Sequence, residues 1–405
     1  MGKPMSRELV TPGWPPLGVE RREWTSRIDP GRLDVWERIR IARPYEASVP
    51  GFIAPLEVRL EPETAAIVAS ASAEVVRFDA EMVAMPVAMP AILLRSESAS
   101  SSQIERLTSN ARNLAIAELD LGSRQNAELV VANVRAMQRA LEVGTGITRQ
   151  SIIETHQRLL EHSDPGIVGG LRSEQVWVGG SDASPHGAEF VPPHADRVPA
   201  LIDDLVGFAA RDDIPVLAHA ALVHAQFETI HPFLDGNGRT GRAIMHTLLR
   251  GRGLTRHSTV PVSSGLLRDT ARYFQALTAY REGHPDAIVT ETARAAFAAV
   301  SNGRQLASEM AVIRETARAS LVARADSAAW PLIDLLMRQP VVNAERVARE
   351  LGVTTRTARN ALDLLAGAGV VTLASTAKRD RIWQITAVTD AMDAFARRAG
   401  RRSNG

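Results

Sequence analysis

Twelve consecutive residues constrain this chain more than any others: His231-Pro-Phe-Leu-Asp-Gly-Asn-Gly-Arg-Thr-Gly-Arg242. They separate two segments with helical apolar periodicity. The first, Pro215 to Thr229, opens on a proline suited to a first helical turn; the second runs to about Arg250 with Ile244, Leu248 and Leu249 directed inward. A fold that buries both segments holds the loop between them, and so pre-organises whatever the loop binds. Gly236 and Gly238 can take positive φ, which lets consecutive backbone N–H groups converge as an anion nest, and a helix from Arg239 onward points its N-terminus at the same place. Arg239 and Arg242, three apart, share a helical face and can bind phosphate oxygens along a polyphosphate. Asp235 is a hard oxygen ligand of the kind Mg²⁺ takes when it also holds substrate phosphates. His231 has the one side chain here whose ordinary pKa suits proton abstraction near neutrality.

The pattern His-Pro-Phe-x-Asp-Gly-Asn-Gly-Arg-x-x-Arg resembles the signature of the Fic family, and agreement at so many fixed positions is a specific match. The family transfers AMP from ATP to a protein hydroxyl. The resemblance implies that His231 deprotonates the target hydroxyl and that Asp235 holds Mg²⁺. It further implies that Asn237 and the amides of Gly236 and Gly238 take the α- and β-phosphates, Arg239 the β-phosphate and Arg242 the γ-phosphate. Phe233 would be a buried anchor beneath the loop. Doc-type kinases, which resemble this family, carry Lys where this chain has Gly238, so nucleotidyl transfer is favoured over phosphoryl transfer.

At 405 residues the chain has room for two or three domains. Net charge is only +1, but residues 331–405 carry +5 and the rest −4, which reads as a basic C-terminal module on a mildly acidic body. The absence of cysteine excludes disulfides and thiolate metal sites. The N-terminus lacks an apolar signal core and no run approaches a membrane span, so a cytoplasmic, bacterial-type protein without membrane partners is expected.

Residues 1–44, rich in Pro, Trp and Arg, read as an extended arm whose Trp14, Trp24 and Trp36 pack on the body or face a partner. Residues 45–125 read as an N-terminal helical region, with a helix from Pro62 to about Glu81; Tyr45 to Glu63 resembles the segment that precedes many Fic cores. The Ser-rich stretch 97–106 would ordinarily be a loop and helix N-cap. Ser101-x-x-x-Glu105 is also similar to the family's inhibitory pattern Ser/Thr-x-x-x-Glu-Gly/Asn, in which the glutamate reaches the second signature arginine, here Arg242, and the resemblance makes this an N-terminal inhibitory helix. Such a pair at an effective dielectric near 20 is on the order of 4 kcal/mol before desolvation, enough to misplace a triphosphate. The Gly/Asn position is Arg106 in this chain, and Ser70-x-x-x-Glu74 fits the loose pattern equally well.

Residues 126–300 form the expected Fic catalytic core, which the resemblance covers within Tyr45 to Phe297. Helices are expected at about 126–143, 149–162 and 196–210, with His156 and His162 at the surface or helix ends, and His219 and His224 packed inside. Between them, Gln175-Val176-Trp177-Val178 and Ala188 to Val191 read as a β-hairpin. The resemblance implies a flap here that holds the target by strand addition; a plain structural hairpin is the alternative. Pro261 to Ser264 and Arg272 to Leu277 resemble the family's adenine-side segment, and Tyr273 fits either a nucleotide contact or the core.

A long helical pattern from about Asp286 to Ala325 contains a linker, 301–327, and leads to residues 328–405, which resemble a winged helix-turn-helix with wing strands at 370–373 and 382–385 around Lys378, Arg379 and Arg381. Thr355, Arg356, Arg359 and Asn360 are types that read base edges, and the wing and the tail Arg397 to Arg402 suit phosphates. The same fold also serves as a dimerisation or docking unit. The fold class expected is therefore mainly α, a Fic-type helical core with a β-hairpin flap plus a C-terminal winged-helix domain. The function expected is AMP transfer from Mg-ATP to a Tyr, Ser or Thr hydroxyl of a target protein or of the chain itself, restrained by Glu105, in a homodimer of the family's common kind. A DNA-binding regulator with a nucleotide-sensing core and an AMP-removing hydrolase are the alternatives.

Overall fold

The computed structural model describes residues 13–26, 29, 34–119, 125–144, 146–181, 183–374 and 381–400. The chain begins with β1 (Gly18–Arg22), α1 (Val35–Ile41) and β2 (Tyr45–Val49), followed by α2 (Pro62–Ala84), α3 (Met89–Ile104), α4 (Ala111–Ala117), α5 (Gln125–Val143) and α6 (Arg149–Leu160). Next come α7 (Val198–Ala209), α8 (Val216–Ile230), α9 (Asn237–Gly251), α10 (Val262–Leu267), α11 (Thr270–Arg281) and α12 (Pro285–Ser320). The last stretch holds α13 (Ala329–Arg338), β3 (Val341–Val342), α14 (Ala344–Leu351), α15 (Thr355–Gly367), β4 (Thr372–Leu373), β5 (Trp383–Gln384) and α16 (Thr386–Arg398). The fold is mainly helical.

Local sequence explains many boundaries. Pro62 and Pro285 stand in the first turns of α2 and α12, where a missing N–H costs nothing. Thr148 and Ser151 form a reciprocal capping box that starts α6, and Gly352 at φ 64 ends α14. Along α2, Val68, Ala71, Val75, Phe78 and Met82 recur at three- and four-residue spacing and are buried; α2 packs on α12. One contiguous hydrophobic cluster reaches from Ile53 to Ala399.

Several expectations change. The boundary at 44 cuts through a two-stranded antiparallel sheet, because β1 pairs with β2 from Gly18↔Val49 to Arg22↔Tyr45. The arm lies on the body: Trp14 packs against Phe208 and Tyr280, and Trp24 against Tyr45 and Trp177, whereas Trp36 is exposed. The boundaries at 300 and 328 do not interrupt the core, since α12 runs through the first and the same apolar cluster crosses both. Of the two readings of the Ser-rich stretch, the helix holds: residues 97–104 belong to α3, and burial against α5, α9 and α10 overrides the weak helix propensity of serine.

The expected hairpin shrinks to one antiparallel bridge, Val178↔Phe190. Beside that bridge the Gln175 side chain is bonded in: its amide nitrogen donates to the Val176 and Pro192 carbonyls, and its amide oxygen accepts from Tyr45 Oη. Near the C-terminus β3, β5 and β4 form a small antiparallel sheet beside α13–α15. Lys378, Arg379, Arg401 and Arg402 lie outside the described residues. Arg398 is not a free tail cation, because α16 packs it against Glu309, with Nη1–Oε1 at 3.0 Å.

Candidate active site

α8 and α9 enter and leave the signature loop fully inside the protein, and the loop is held from below by aromatic and backbone contacts. Phe233, 1% exposed, stacks on His156 with centroids 3.7 Å apart and planes at 3°. His156 is therefore buried, not at the surface; desolvation lowers its pKa to about 4, so its neutral ring holds the Asp235 carbonyl 3.0 Å from Nε2. Asn237 accepts from the Phe233 N–H through Oδ1 and donates through Nδ2 to the Phe233 carbonyl, each at 2.9 Å. Its side chain is thus spent on closing the loop and only its backbone faces an anion. Gly236 has the left-handed φ of 75 expected of it, but Gly238 is helical. Gly238 is needed for a different reason: a Cβ there would collide with Glu105 Oε1.

His231 ends α8 in the left-handed region at φ 50, with its N–H bonded to the Phe227 carbonyl at 2.9 Å. Arg172 maintains that conformation. Its Nε donates to the His231 carbonyl at 2.8 Å, its Nη2 to the Pro193 carbonyl at 2.6 Å, and its backbone N–H to the Pro232 carbonyl at 2.9 Å. Burial first, then the nearby Arg172 charge, lowers the His231 pKa to about 4, so the imidazole is neutral near pH 7 and able to accept a proton.

The two signature arginines differ. Arg239 is 3% exposed and meets one carboxylate oxygen, Asp235 Oδ2, at 3.4 Å, while its Nε and Nη1 have no partner. Two buried, unpartnered guanidinium donors are costly unless an anion meets them. Arg242, 1% exposed, is engaged from α3: Nε donates to Ser101 Oγ, and Nη2 to the Ser101 carbonyl and to Glu105 Oε1, each at 2.8 Å. Burial alone would raise the Glu105 carboxyl, but the adjoining Arg242 guanidinium, with Arg239 and His231, brings it below its ordinary value. The residue after it, Arg106, has φ 63, a conformation that Gly and Asn adopt at least cost.

Glu228 and Arg172 carry weight that sequence reasoning missed. Glu228 precedes His231 by three residues on α8, with Oε2 4.0 Å from His231 Nδ1 and Oε1 unpartnered. Desolvation, reinforced by the Glu105 charge against the pull of Arg242, raises its pKa to about 7. Its spacing from His231 was the available signal; Arg172, distant in sequence, offered none beyond its Gly-rich surroundings. Tyr273 proves to be core, 1% exposed, with Oη 2.8 Å from His224 Nε2. Gln175 donates to the Pro192 carbonyl, Trp177 Nε1 donates to the Ser181 carbonyl at 2.9 Å, Val176 is partly exposed and Val178 is exposed. On α15, Arg356, Arg359 and Asn360 are exposed, Thr355 is partly so, and Arg359 lies 3.7 Å from Glu345. Among the described residues no group of three or more His, Asp or Glu could hold a metal ion. Asp235, with a side chain 66% exposed at the rim, suits an ion whose remaining ligands are phosphates and water.

Known proteins share this arrangement in part. A family model described as Fic/DOC matches residues 146–249. Over 110 residues the chain is 38% identical to a protein adenylyltransferase Fic of Drosophila willistoni, which covers 26% of this chain and 20% of that protein. A protein adenylyltransferase Fic of Culex quinquefasciatus is 36% identical over 110 residues, again 26% of this chain and 20% of the relative. The chain thus spans about a fifth of the length of the curated relatives it matches. A crystal structure of a Fic family protein from Desulfovibrio desulfuricans G20 aligns over 81% of this chain and 97% of its own, with TM-score 0.51 and 21% identity, a likeness of fold.

Proposed function

We propose that the chain, whose residues 146–249 match the Fic/DOC family model, is a protein adenylyltransferase held at rest by Glu105. It moves AMP from ATP to a Tyr, Ser or Thr hydroxyl of a protein. The observation that carries the reading is Arg239, a buried guanidinium with two unpartnered donors at the N-terminus of α9, beside a neutral His231. A polyphosphate supplies the acceptors that Arg239 lacks, and the α9 N-terminus adds backbone N–H groups and a favourable dipole.

In the proposed reaction, the β-phosphate meets Arg239, and the α- and β-phosphates lie on the amides of Gly236, Asn237 and Gly238. His231 takes the proton of the target hydroxyl. The hydroxyl oxygen forms a bond to the α-phosphorus, the bond from that phosphorus to the bridging oxygen breaks, and pyrophosphate leaves with the electron pair. Mg²⁺ held by Asp235 and the substrate phosphates would supply charge neutralisation. The γ-phosphate needs Arg242, whose donors are turned to Ser101 and Glu105. Glu105 therefore competes with the triphosphate by placing its own carboxylate on that guanidinium.

The test is transfer of label from α-labelled ATP to the chain itself or to lysate proteins. Glu105→Gly raises labelling about tenfold or more, the effect of removing one charge-paired contact of about 1.4 kcal/mol. Labelling that is equal in wild type and variant removes the inhibitory role, and labelling that survives His231→Ala removes the assigned base.

The winged helix-turn-helix reading of residues 328–405 offers a DNA-sensing regulator as competitor. It ranks second because its cations on α15 are solvated, whereas the buried, unsatisfied cation lies at the loop. Retention of duplex DNA by the full chain, with no ATP-dependent labelling of any variant, would reverse the ranking.

A further inference from the structure

The N-terminal strand pair and the segment before His231 enclose a cleft of about 700 Å³, separate from the nucleotide loop and lined by Arg21, Arg40, Arg43, Glu46, His186 and Val191, among others. Its charge is one-sided. Among the described residues lining it, Glu46 is the single carboxylate, and it meets only the edge of Arg21, at 3.5 Å with both side chains well exposed. No described carboxylate lies within ion-pair distance of Arg40 or Arg43. The ring of His186 is fixed by the Arg43 carbonyl, 2.9 Å from Nε2, and its Nδ1 has no partner.

α1 extends this surface. Trp36 and Arg40 are four residues apart, so they share a face, and Trp36 is 79% exposed, Val35 60% and Ile39 47%. Solvent-exposed Trp and Ile beside unpaired arginines is a composition that interface centres favour and ordinary surfaces avoid.

The cleft connects to the catalytic residue through a short series of hydrogen bonds. Ser48 on β2 donates through its N–H and Oγ to the Val191 carbonyl, at 3.1 and 2.7 Å. Two residues on, the Pro193 carbonyl accepts from Arg172, whose Nε holds the His231 carbonyl. A chain segment seated in the cleft is thereby held by the elements that position His231.

We propose that this cleft and the Trp36 face of α1 form a docking surface for an acidic segment of the protein target, near the hydroxyl that receives the AMP. The inference rests on the transferase reading for its purpose, but not for its binding chemistry. Arg40 and Arg43 recognise carboxylates, and Trp36 and Ile39 take an apolar residue beside them. Specificity then resides outside the signature loop, and its cations and aromatic, Arg40, Arg43 and Trp36, stand on a part of the chain that the family match at 146–249 does not include.

Anisotropy of fluorescein-labelled hexaglutamate against the full chain tests it directly, with a Gly-Ser peptide of equal length as control. Hexaglutamate binds saturably and the control does not; Arg40→Glu with Arg43→Glu weakens binding about tenfold, and Arg40→Lys with Arg43→Lys retains most of it. Trp36→Ala, a fully exposed change that leaves the fold intact, weakens binding about threefold when the peptide carries one leucine among its glutamates. Unchanged binding in the charge-reversed chain overturns the proposal. So does an oligothymidylate of equal charge that binds more tightly and is lost in the same variants, since the cleft would then be a nucleic-acid surface. In the Glu105→Gly background, a Tyr peptide flanked by glutamates has a lower KM than its lysine-flanked counterpart at similar kcat, and charge reversal of Arg40 and Arg43 erases the difference. Peptide binding without any AMP transfer upholds the docking surface and rejects the transferase reading; transfer without a glutamate preference does the opposite.

Discussion

Two helices meet at Arg242, and they are held in place by different physics. α9 is buried from Asn237 to Leu249, and beyond the signature its inward residues are Ala243, Ile244, Met245, Leu248 and Leu249. α3 starts in the same manner with Met89, Ile92 and Leu93, but from Arg95 to Ser102 its buried residues are Arg, Ser, Glu, Ser, Ala, Ser, Ser and Ser. Apolar burial contributes roughly 25 cal/mol per Å², while a hydrogen bond exchanged with water contributes about 1 kcal/mol net. The C-terminal half of α3 is accordingly bonded but weakly driven, and Ser98 Oγ, Gln103 Oε1 and Asn133 Oδ1 in and around it have no partner at all. The nucleotide side of the site is fixed by an apolar core, and the side that carries Ser101 and Glu105 is fixed by hydrogen bonds to Arg242 that an anion can replace.

The comparison can be broken most sharply at the base. In the Glu105→Gly background, His231→Ala lowers labelling about 10²- to 10⁴-fold with little change in Tm. Because the His231 pKa lies at about 4, labelling by the intact base stays flat from pH 7.5 down to about 5 and falls below that. A decline centred near 6.5 would mean an imidazole exposed as in water. Next in size is stability. Leu248→Ala on α9 costs about 2–5 kcal/mol in denaturant unfolding, and Ser98→Ala on α3 less than about 1 kcal/mol. Similar losses at both sites would erase the distinction between the two helices.

Glu228 offers a pH-resolved probe. Its folded pKa, about 7, lies above the ordinary 4.5, so the folded chain binds the proton more tightly than the unfolded one. The stability that this contributes is fully present below pH 4.5 and is lost as pH rises through 7. Glu228→Gln therefore leaves Tm nearly unchanged at pH 4 and raises it by roughly a few degrees at pH 8. A Tm difference independent of pH would show that Glu228 is charged in the folded protein. The smallest effect is expected at Arg106, which holds φ 63. Arg106→Gly relieves about 1 kcal/mol of backbone strain and, by steadying Glu105, lowers resting labelling severalfold.

Much of the site was legible because its chemistry is local. His231, Asp235, Arg239 and Arg242 fall within one short stretch, and the periodicity on either side announced two buried helices. Ser101 and Glu105 stood out as a motif, but nothing local distinguished them from Ser70 and Glu74; the path of α3 alone brings Ser101 and Glu105 to Arg242. Serine propensity by itself points to a loop and N-cap at 97–106, because propensity describes a segment in water, whereas α3 is enclosed by α5, α9 and α10 and is helical, as an inhibitory helix requires. His156 was placed at the surface for the same reason, since no spacing within α6 signals a stacking partner on a loop distant in sequence. Alternation predicts a longer hairpin than the single Val178↔Phe190 bridge, because it carries no information on side-chain bonds such as those of Gln175 to the Val176 and Pro192 carbonyls.

The sequence by itself determined the reactive groups and their order: a base, a carboxylate, a glycine turn and two guanidiniums ahead of a helix, because twelve contiguous residues need no tertiary contact to come together. Only the tertiary structure decided which of those groups are free. Arg239 keeps Nε and Nη1 unpartnered while Arg242 has Nε and Nη2 engaged, because α3 reaches one arginine and not the other. Burial then sets the protonation of His231 and Glu228, since a group's charge depends on the water removed from around it and not on its neighbours in the chain.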